Sequence, residues 1–438
     1  MMITLNTKEN LQNKDIFLIE GRKKLKGKVE INGAKNAALP IIAAALLADT
    51  PSVLENVPRL LDIYTMIEVI SHLGAKIEFI GEKRLFIDPT NFNEYIAPYE
   101  LVKKMRASIL VMGPLLAKLR RAKISLPGGC AIGPRPVDLH LSGFKALGAD
   151  VHFDKGYIYA EVEKFKGNYI YLDFPSVGAT ENIMMAAVLA EGETTIENAA
   201  REPEVVDLGN FLIKMGANIE GAGTDLVKIR GVKSLRGVNS HKIISDRIEA
   251  GTFMVAGAIT GGDILLEDIN PEFLHSVIVK IRSTGIKVEE YENSIRVVGN
   301  GWIQAVDIKT MPYPGFPTDM QAQIMSLLSV ANGISIITEN IFENRFTHVA
   351  ELKRMGADIR IEGHSAIVKG VEKLSGTVVT AHDLRAGASL VLAGLAADGI
   401  TKINGVYHID RGYEGIEKKL NTLGANIKRT KFKEKEEV

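Results

Sequence analysis

Short apolar stretches and polar turns alternate along the whole chain, and one combination of them recurs six times. In each copy an amphipathic helical pattern ends in a glycine, usually followed by alanine, and a short strand pattern begins. These glycines are 74, 68, 69, 71 and 68 positions apart, as subtraction of their numbers gives; they are Gly74, Gly148, Gly216, Gly285, Gly356 and Gly424. The near-constant step predicts one supersecondary unit used repeatedly, with each glycine ending a helix in the left-handed conformation.

A second recurring pattern lies about half a repeat before most of these glycines. An Ala-rich apolar helix ends at a polar or glycine turn, and a short β-branched strand follows, at residues 47–56, 189–198, 259–268, 330–340 and 395–404. Together the two patterns predict that every repeat reads strand, helix, strand, helix, strand, strand. In the third repeat the predicted strands are 169–174, 195–198, 218–221 and 226–230, and the predicted helices are 178–190 and 204–215.

The Ala-rich helices are apolar on nearly every side. They are predicted at residues 36–48, 180–190, 247–260, 319–331 and 385–397. A helix without a polar face belongs in the interior of a domain. The sequence therefore predicts an α/β fold in which helices are buried and sheets form the outside.

Composition and charge exclude several classes of partner. A chain of 438 residues is too long for one ordinary core, so at least two domains are expected. The 46% hydrophobic and 24% charged residues are typical of a soluble globular protein. Because the formal net charge is zero, no bulk field attracts nucleic acid or an anionic membrane. We find no apolar stretch long enough to cross a bilayer and no secretory signal, which together with a single cysteine predicts a cytoplasmic protein.

Cys130 is the only cysteine of the chain and lies in its most distinctive loop, residues 126–140. A lone thiol cannot form an internal disulfide, so it is either a small buried residue or a reactive group. Three glycines and three prolines make the loop irregular, and Arg135 places a positive charge nearby that favours the thiolate. These neighbours favour a chemical role for Cys130.

Unusual polar residues cluster where a strand is predicted to lead into a helix. They are Lys35 with Asn36, Ser176 to Gly178, Asp246 with Arg247, Asp319 and Asp383 to Arg385 at the first junction of a repeat, and Cys130 with Arg135, Arg345 and Arg411 at the second. Helix N-termini expose free amide donors, so several of them with arginines predict a site for phosphate or carboxylate. For Asp319, N-capping of its helix is an open alternative, although the Pro-rich segment before it suits a carboxylate held in a fixed position.

Seven motifs, in order, resemble those of the UDP-N-acetylglucosamine 1-carboxyvinyltransferase family of enolpyruvyl transferases along nearly the whole chain. They are residues 32–36, 130–140, 175–180, 316–321, 342–346, 383–386 and 408–413. The resemblance implies an inside-out α/β barrel of two similar domains with three βαβαββ repeats each, in which the N-terminal strand belongs to the second domain. We therefore expect one lobe at residues 35–245, which carries the Cys130 loop, and a discontinuous lobe at 1–34 plus 246–438.

The resemblance also implies a reaction. Family members transfer the enolpyruvyl group of phosphoenolpyruvate to the 3-hydroxyl of UDP-N-acetylglucosamine through a tetrahedral ketal and release phosphate. This is the first committed step of peptidoglycan precursor synthesis, on which cell wall biogenesis, cell shape and cell division depend. The family cysteine can form a covalent pyruvate adduct and is alkylated by fosfomycin. We expect small-molecule substrates, no cofactor, no nucleic acid and no membrane insertion. No metal is expected either, because the nine histidines show no metal-ligand spacing.

Roles for individual residues follow from the same resemblance. Cys130 corresponds to the general acid and Asp319 to the general base. The residues that correspond to phosphoenolpyruvate ligands are Lys35, Asn36, Arg135, Arg345, Arg385 and Arg411. A phosphate and a carboxylate in a partly desolvated site need such fixed positive charge.

The resemblance implies a second set of residues that bind the nucleotide sugar. They are Asn36, Arg106, Arg135, Pro136, Val137, Asp138, Leu139, Ser176, Val177, Gly178, Asp319 and Ile341. Apart from the family, Arg106 is equally well interpreted as an exposed helical residue, and His140 is either a proton relay or an orienting residue. The chain departs from the family pattern at Phe174, where some members carry a lysine that can contact the diphosphate.

Two other functions and the oligomeric state stay open. Enolpyruvylshikimate phosphate synthase shares the reaction type, with shikimate 3-phosphate as the acceptor, but lacks the loop with the thiol. A catalytically silent paralogue that binds UDP-sugars and regulates the pathway is the second alternative. The presence of Cys130, Asp319, Lys35 and Arg411 together argues against that paralogue.

Overall fold

The computed structural model describes residues 15–126 and 137–431. Three of the predicted site residues, Cys130, Arg135 and Pro136, therefore lie outside the described residues.

The strands follow one another along the chain at short intervals. They are β1 (Asp15–Glu20), β2 (Lys26–Glu30), β3 (Ser52–Glu55), β4 (Lys76–Phe79), β5 (Leu85–Asp88), β6 (Ile96–Ala97), β7 (Arg121–Ser125), β8 (Asp150–Asp154), β9 (Tyr157–Glu161), β10 (Tyr169–Tyr171), β11 (Glu193–Glu197), β12 (Asn218–Glu220), β13 (Leu226–Arg230), β14 (His241–Lys242), β15 (Asp263–Glu267), β16 (Lys287–Tyr291), β17 (Ser294–Val298), β18 (Ile308–Lys309), β19 (Ile334–Thr338), β20 (Asp358–Glu362), β21 (Ser365–Lys369), β22 (Val378–Thr380), β23 (Ile400–Asn404) and β24 (Asn426–Lys431).

Helices connect these strands. The α-helices are α1 (Lys35–Ala44), α2 (Leu61–His72), α3 (Tyr99–Val102), α4 (Met112–Leu119), α5 (Asp138–Ala146), α6 (Val177–Ala187), α7 (Pro203–Lys214), α8 (Arg247–Ile259), α9 (His275–Ser283), α10 (Gln321–Leu328), α11 (Val349–Arg354), α12 (Leu384–Ala396), α13 (Val406–Ile409) and α14 (Ile416–Thr422). Short 3₁₀ helices lie at Ala45–Leu47, Arg106–Val111, Pro271–Leu274 and Thr318–Met320.

The described strands form six four-stranded sheets with the same internal order. In the sheet β10-β11-β13-β12, the first two strands pair in parallel and the other pairs are antiparallel. A parallel pair needs a crossover connection, and α6 supplies it between β10 and β11. The other five sheets repeat this order and these pairing directions. The predicted sixfold use of one βαβαββ unit is confirmed.

Three of the six repeats are not continuous in sequence, which corrects the prediction that each repeat is read straight along the chain. The sheet of the first repeat takes its parallel edge strand from β14, the fourth repeat takes it from β2, and the sixth takes its last strand from β1. Strand β14 is only two residues long, so it has no readable alternation of polarity.

The central helices are buried as predicted. Nearly every residue of α1, α6, α8, α10 and α12 is buried, and the strands alternate between buried and exposed side chains. Helices therefore lie beneath sheets whose other face meets solvent. The six recurring glycines have φ between 86° and 107°, the left-handed region that ends each outer helix. In the second repeat α4 takes the central position, which the Ala-rich pattern did not identify.

The described residues divide into two compact units. The first unit contains residues 32–126 and 137–245, and the second contains residues 15–31 and 246–431. Each unit has three of the six sheets and a separate hydrophobic core. None of the described helices has the length and apolar character that a membrane crossing requires.

Candidate active site

Asp319 is the centre of a charged cluster in the second unit. It lies in the 3₁₀ turn Thr318–Met320 that leads into α10, and its side chain does not cap that turn. Instead, Arg345 Nη2 donates to Asp319 Oδ1 at 2.7 Å and Arg385 Nη2 donates to Oδ2 at 2.9 Å. The N-capping alternative for Asp319 is therefore wrong, whereas Asp246 and Asp383 do cap α8 and α12.

The two arginines determine the ionisation of this carboxylate. Burial alone would raise the pKa of Asp319. The charges of Arg385 and Arg345, together with their hydrogen bonds, outweigh burial and hold the pKa of Asp319 well below its usual range. Asp319 is thus fully ionised at neutral pH and is a weak base in this arrangement.

Both arginines still have hydrogen-bonding capacity to offer. Arg345 and Arg385 are each 4% exposed, and within the described part of the chain Arg345 Nη1 and Arg385 Nε have no hydrogen-bond partner. A buried charged donor without an acceptor is costly, so these two atoms need an acceptor from water or a bound ligand. One carboxylate between two guanidinium groups also leaves an excess of positive charge among these three side chains. The cluster is therefore suited to bind an anion.

Glu339 holds the turn that carries Asp319, and the sequence did not predict this role. Its carboxylate is 1% exposed and accepts hydrogen bonds from Thr310 Oγ1 at 2.8 Å and Thr318 Oγ1 at 2.9 Å. It also accepts from the backbone N–H of Ile341 at 2.9 Å. Glu339 thereby links the turn that carries Asp319 to the predicted nucleotide-sugar residue Ile341.

Lys35 is a buried cation of the first unit. It begins α1, and its Nζ donates to Asp62 Oδ2 of α2 at 2.8 Å. Both side chains are less than one-tenth exposed. The neighbouring Asn36 is exposed. Asp62 therefore fixes the ammonium group at the start of a buried helix, where the free amide groups also favour an anion.

His140 marks a second polar position in the first unit. Asn182 Oδ1 accepts from Gly113 N at 2.8 Å and its Nδ2 donates to Ile109 O at 2.9 Å, which sets the orientation of the amide. Asn182 Nδ2 therefore also donates to His140 Nδ1 at 3.0 Å. Burial, with a smaller effect of the Arg106 charge, lowers the pKa of His140 to about 4. A histidine that is neutral at pH 7 fits the orienting role better than the proton relay.

The remaining predicted residues lie at the starts and ends of elements. Ser176 caps α6 by accepting from Ala179 N at 3.4 Å, so Val177 and Gly178 form the first turn of that helix. Helix α5 starts directly after Val137, with Asp138 and Leu139 in its first turn, and Arg106 begins a 3₁₀ helix. Ile341 follows β19, and Arg411 follows α13. The structure thus joins Asp319, Arg345 and Arg385 directly, while Lys35 pairs with Asp62.

Comparisons with known proteins show the family of this chain. A family model described as EPSP synthase (3-phosphoshikimate 1-carboxyvinyltransferase) matches residues 19–420. The UDP-N-acetylglucosamine 1-carboxyvinyltransferase 1 of Caldanaerobacter subterraneus subsp. tengcongensis is 59% identical over 414 residues, which cover 94% of this chain and 99% of that relative. The UDP-N-acetylglucosamine 1-carboxyvinyltransferase 2 of Carboxydothermus hydrogenoformans is 58% identical over 415 residues, which cover 94% of this chain and 99% of that relative. The chain belongs to the UDP-N-acetylglucosamine 1-carboxyvinyltransferase family.

Solved structures agree with the fold of this carboxyvinyltransferase family member. The enolpyruvyl transferase NikO from Streptomyces tendae matches with a TM-score of 0.87 at 24% identity, over 96% of this chain and 99% of NikO. An EPSP synthase from Acinetobacter baumannii matches with a TM-score of 0.73 at 20% identity, over 95% of this chain and all of that one. At these identities the likeness concerns the fold alone, and it confirms the predicted two-domain inside-out α/β architecture.

Sequence reasoning missed three residues that this family member places against the predicted ligands. They are Asp62 beside Lys35, Glu339 beside the Asp319 turn, and Tyr413, whose hydroxyl accepts from Arg385 Nη1 at 3.1 Å. Tyr413 ends one of the seven motifs, so a signal for it existed in the sequence. Asp62 and Glu339 lie in no motif, and only their burial with a charged or hydroxyl partner identifies them.

Proposed function

We propose that this protein transfers the enolpyruvyl group of phosphoenolpyruvate to the 3-hydroxyl of UDP-N-acetylglucosamine and releases phosphate. The observation that carries the proposal is the Asp319 cluster, in which a carboxylate is held between two buried arginines, each with one donor that has no partner among residues 15–126 and 137–431. Such a cluster combines a proton acceptor with buried donors for an anion. The names of the relatives supply the acceptor sugar.

The proposed phosphoenolpyruvate ligands are basic residues and one amide. They are Lys35, Asn36, Arg135, Arg345, Arg385 and Arg411. The phosphate and carboxylate of phosphoenolpyruvate lose water on binding, and fixed guanidinium and ammonium groups offset that cost. Lys35 is held ready by Asp62, so little side-chain entropy remains to be lost when the anion binds.

We assign Asp319 the role of general base, and binding of phosphoenolpyruvate prepares it for that role. With Arg345 and Arg385 on its two oxygens, the carboxylate holds a proton poorly. Substrate anions that engage the same arginines weaken their hold on Asp319 and raise its pKa. The base then becomes competent only when the enolpyruvyl donor is in place. The proton it takes is that of the sugar 3-hydroxyl.

Cys130 is the proposed general acid. As the sugar oxygen forms its bond to the central carbon of phosphoenolpyruvate, the methylene carbon takes a proton from the thiol, which gives the tetrahedral ketal. Loss of phosphate and of one methyl proton then restores the enol double bond on the sugar. The assignment rests on the resemblance, which also makes Cys130 the proposed position of the pyruvate adduct and of fosfomycin alkylation.

The nucleotide sugar is proposed to contact the starts of α5 and α6. The residues are Asn36, Arg106, Arg135, Pro136, Val137, Asp138, Leu139, Ser176, Val177, Gly178, Asp319 and Ile341. Free backbone N–H groups in the first turns of the two helices are donors for a diphosphate. They compensate for Phe174, which is 42% exposed and carries no charge.

The biological setting follows from the proposed reaction. The enzyme supplies the first committed step of peptidoglycan precursor synthesis in the cytoplasm, and cell wall growth, cell shape and division depend on its product. The proposed lobes are residues 35–245 and residues 1–34 plus 246–438. Neither a shikimate 3-phosphate acceptor nor a silent UDP-sugar-binding role is favoured, because the relatives cited above carry the name of the nucleotide-sugar enzyme.

The test is phosphate release by the purified protein. Phosphoenolpyruvate is mixed with UDP-N-acetylglucosamine in one reaction and with shikimate 3-phosphate in another. Release only with the nucleotide sugar is the expected result, and Cys130→Ser should abolish it or reduce it strongly. Release only with shikimate 3-phosphate would identify the other acceptor, and no release with either would leave the silent binding protein as the better account.

A further inference from the structure

A buried hydroxyl connects the charged cluster to the rest of the second unit. Tyr413 is 1% exposed, and its hydroxyl contacts one side chain from each of three buried helices. These are Thr252 Oγ1 of α8 at 2.9 Å, Gln323 Nε2 of α10 at 3.3 Å and Arg385 Nη1 of α12 at 3.1 Å. The three helices belong to the three different repeats of this unit.

The hydrogen bonds around Tyr413 have one consistent direction. Thr252 uses its own hydroxyl proton to donate to Ile248 O at 2.8 Å, so its oxygen is left to accept. Tyr413 therefore donates to Thr252, and the phenol oxygen accepts from Arg385 and Gln323, which are donors only at the atoms involved. Thr252 thus turns the Tyr413 hydroxyl into an acceptor for the guanidinium group.

This network fixes both terminal nitrogens of the Arg385 guanidinium group. One terminal nitrogen is held by Tyr413 and the other by Asp319 at 2.9 Å, while Nε keeps no partner among the described residues. A planar guanidinium group held at both terminal nitrogens cannot rotate in its plane. Gln323 Nε2 also donates to the backbone oxygen of Asp319 at 2.8 Å, a contact that does not depend on the Tyr413 hydroxyl.

We propose that the Tyr413 hydroxyl is a positioning group for the phosphoenolpyruvate site, which it serves by orienting Arg385. The proposal rests on the proposed function. If Tyr413 served only to fill the core, its aromatic ring would suffice and the hydroxyl would be dispensable. If the hydroxyl orients Arg385, removing it weakens binding of the phosphoenolpyruvate anion and leaves the nucleotide-sugar interaction unchanged.

Tyr413→Phe tests this distinction because it removes the hydroxyl and keeps the ring. The KM for phosphoenolpyruvate should rise about tenfold, the usual effect of losing one hydrogen bond to a charged group. The KM for UDP-N-acetylglucosamine should stay at the wild-type value. Tyr407→Phe is the matched control, since Tyr407 lies on α13 just before Tyr413 and is only partly buried. It should leave both constants unchanged.

An unchanged KM for phosphoenolpyruvate in Tyr413→Phe, or an equal rise in both constants, would overturn the positioning role. A wild-type protein that releases no phosphate would instead refute the proposed function. Should Tyr413→Phe fail to fold, Thr252→Val and Thr252→Ser replace it. The valine variant loses the acceptor for Tyr413 and should raise the phosphoenolpyruvate KM, whereas the serine variant should restore it; equal constants in the two variants would overturn the proposal.

Discussion

Asp319 is the central residue of the charged cluster in the second unit, because its carboxylate competes with any incoming anion for Arg345 and Arg385. Removing one partner of a buried ion pair typically costs about 3 to 5 kcal/mol, so Arg345 and Arg385 must always face some negative charge. In the structure that charge is Asp319. In the proposed reaction phosphoenolpyruvate takes its place, and the carboxylate then becomes more basic. The proposed base would thus be activated by binding of the proposed donor substrate.

Buried histidines give the protein a measurable dependence on pH. Burial is the main cause that lowers the pKa of His140 and of His348 to about 4 in each case. Their pKa in the unfolded chain is near 6.5, so between these values the unfolded chain binds more protons. The stability that neutral burial provides is complete above pH 6.5 and is lost as the pH falls towards 4.

We predict that these two histidines lower the thermal midpoint of the protein at pH 5.5 relative to pH 7.5, whereas Glu181, whose pKa burial raises, acts in the opposite direction. Each histidine should contribute about 1.4 kcal/mol to the loss over this interval, which is roughly 3 °C for a unit of this size. Calorimetry at the two pH values measures the effect. His140→Gln should lower stability at pH 7.5 but shrink the pH dependence of the first unit, and His348→Gln should do so in the second. A dependence that is unchanged in both variants would contradict this assignment.

At the scale of elements, the site depends on the segments that connect strands to helices. Glu339 follows β19 and accepts from Thr318, which opens the turn before α10, and from the backbone of Ile341. Because these donors satisfy the buried carboxylate, it holds the turn before α10 and the segment after β19 in fixed positions relative to each other. The proposed base and a proposed nucleotide-sugar contact are therefore positioned together.

Thr318→Val tests this coupling because it removes the hydroxyl and preserves the branched shape. A hydrogen bond to a charged acceptor is worth about 1.5 to 3 kcal/mol, so we expect kcat/KM for UDP-N-acetylglucosamine to fall roughly tenfold or more. Thr318→Ser keeps the hydroxyl and should stay close to the wild type. Steady-state kinetics of the two variants provides the comparison, and equal values for valine and serine would show that the bond to Glu339 has no effect on the site.

At the scale of the whole molecule, the repeat could be predicted because one local pattern is written six times. The six glycines, the buried Ala-rich helices and the third repeat all follow from periodicity and turn chemistry. In the third repeat the last strand, Leu226–Arg230, has the predicted bounds. Its two helices, α6 and α7, begin within one residue of the predicted positions.

Pairings between distant segments could not be predicted from those patterns. Strand β14 joins β3 across nearly the whole first unit, and β1 joins β23 and β24 from the opposite end of the chain. The site shows the same limit, since the motifs indicated Asp319 and Arg385 but not their contact over 66 positions. Which polar residues meet depends on the packing of the repeats, and local sequence carries little information about it.

In the proposed reaction the whole protein joins an enolpyruvyl group to the 3-hydroxyl of UDP-N-acetylglucosamine. Mass spectrometry of the sugar after incubation of the full-length protein with both substrates tests it most directly, with fragmentation to locate the added group. We predict a nucleotide sugar that carries one enolpyruvyl ether at the 3-position, formed in equal amount to the phosphate released. An unmodified nucleotide sugar, or an enolpyruvyl group at another position, would contradict the account.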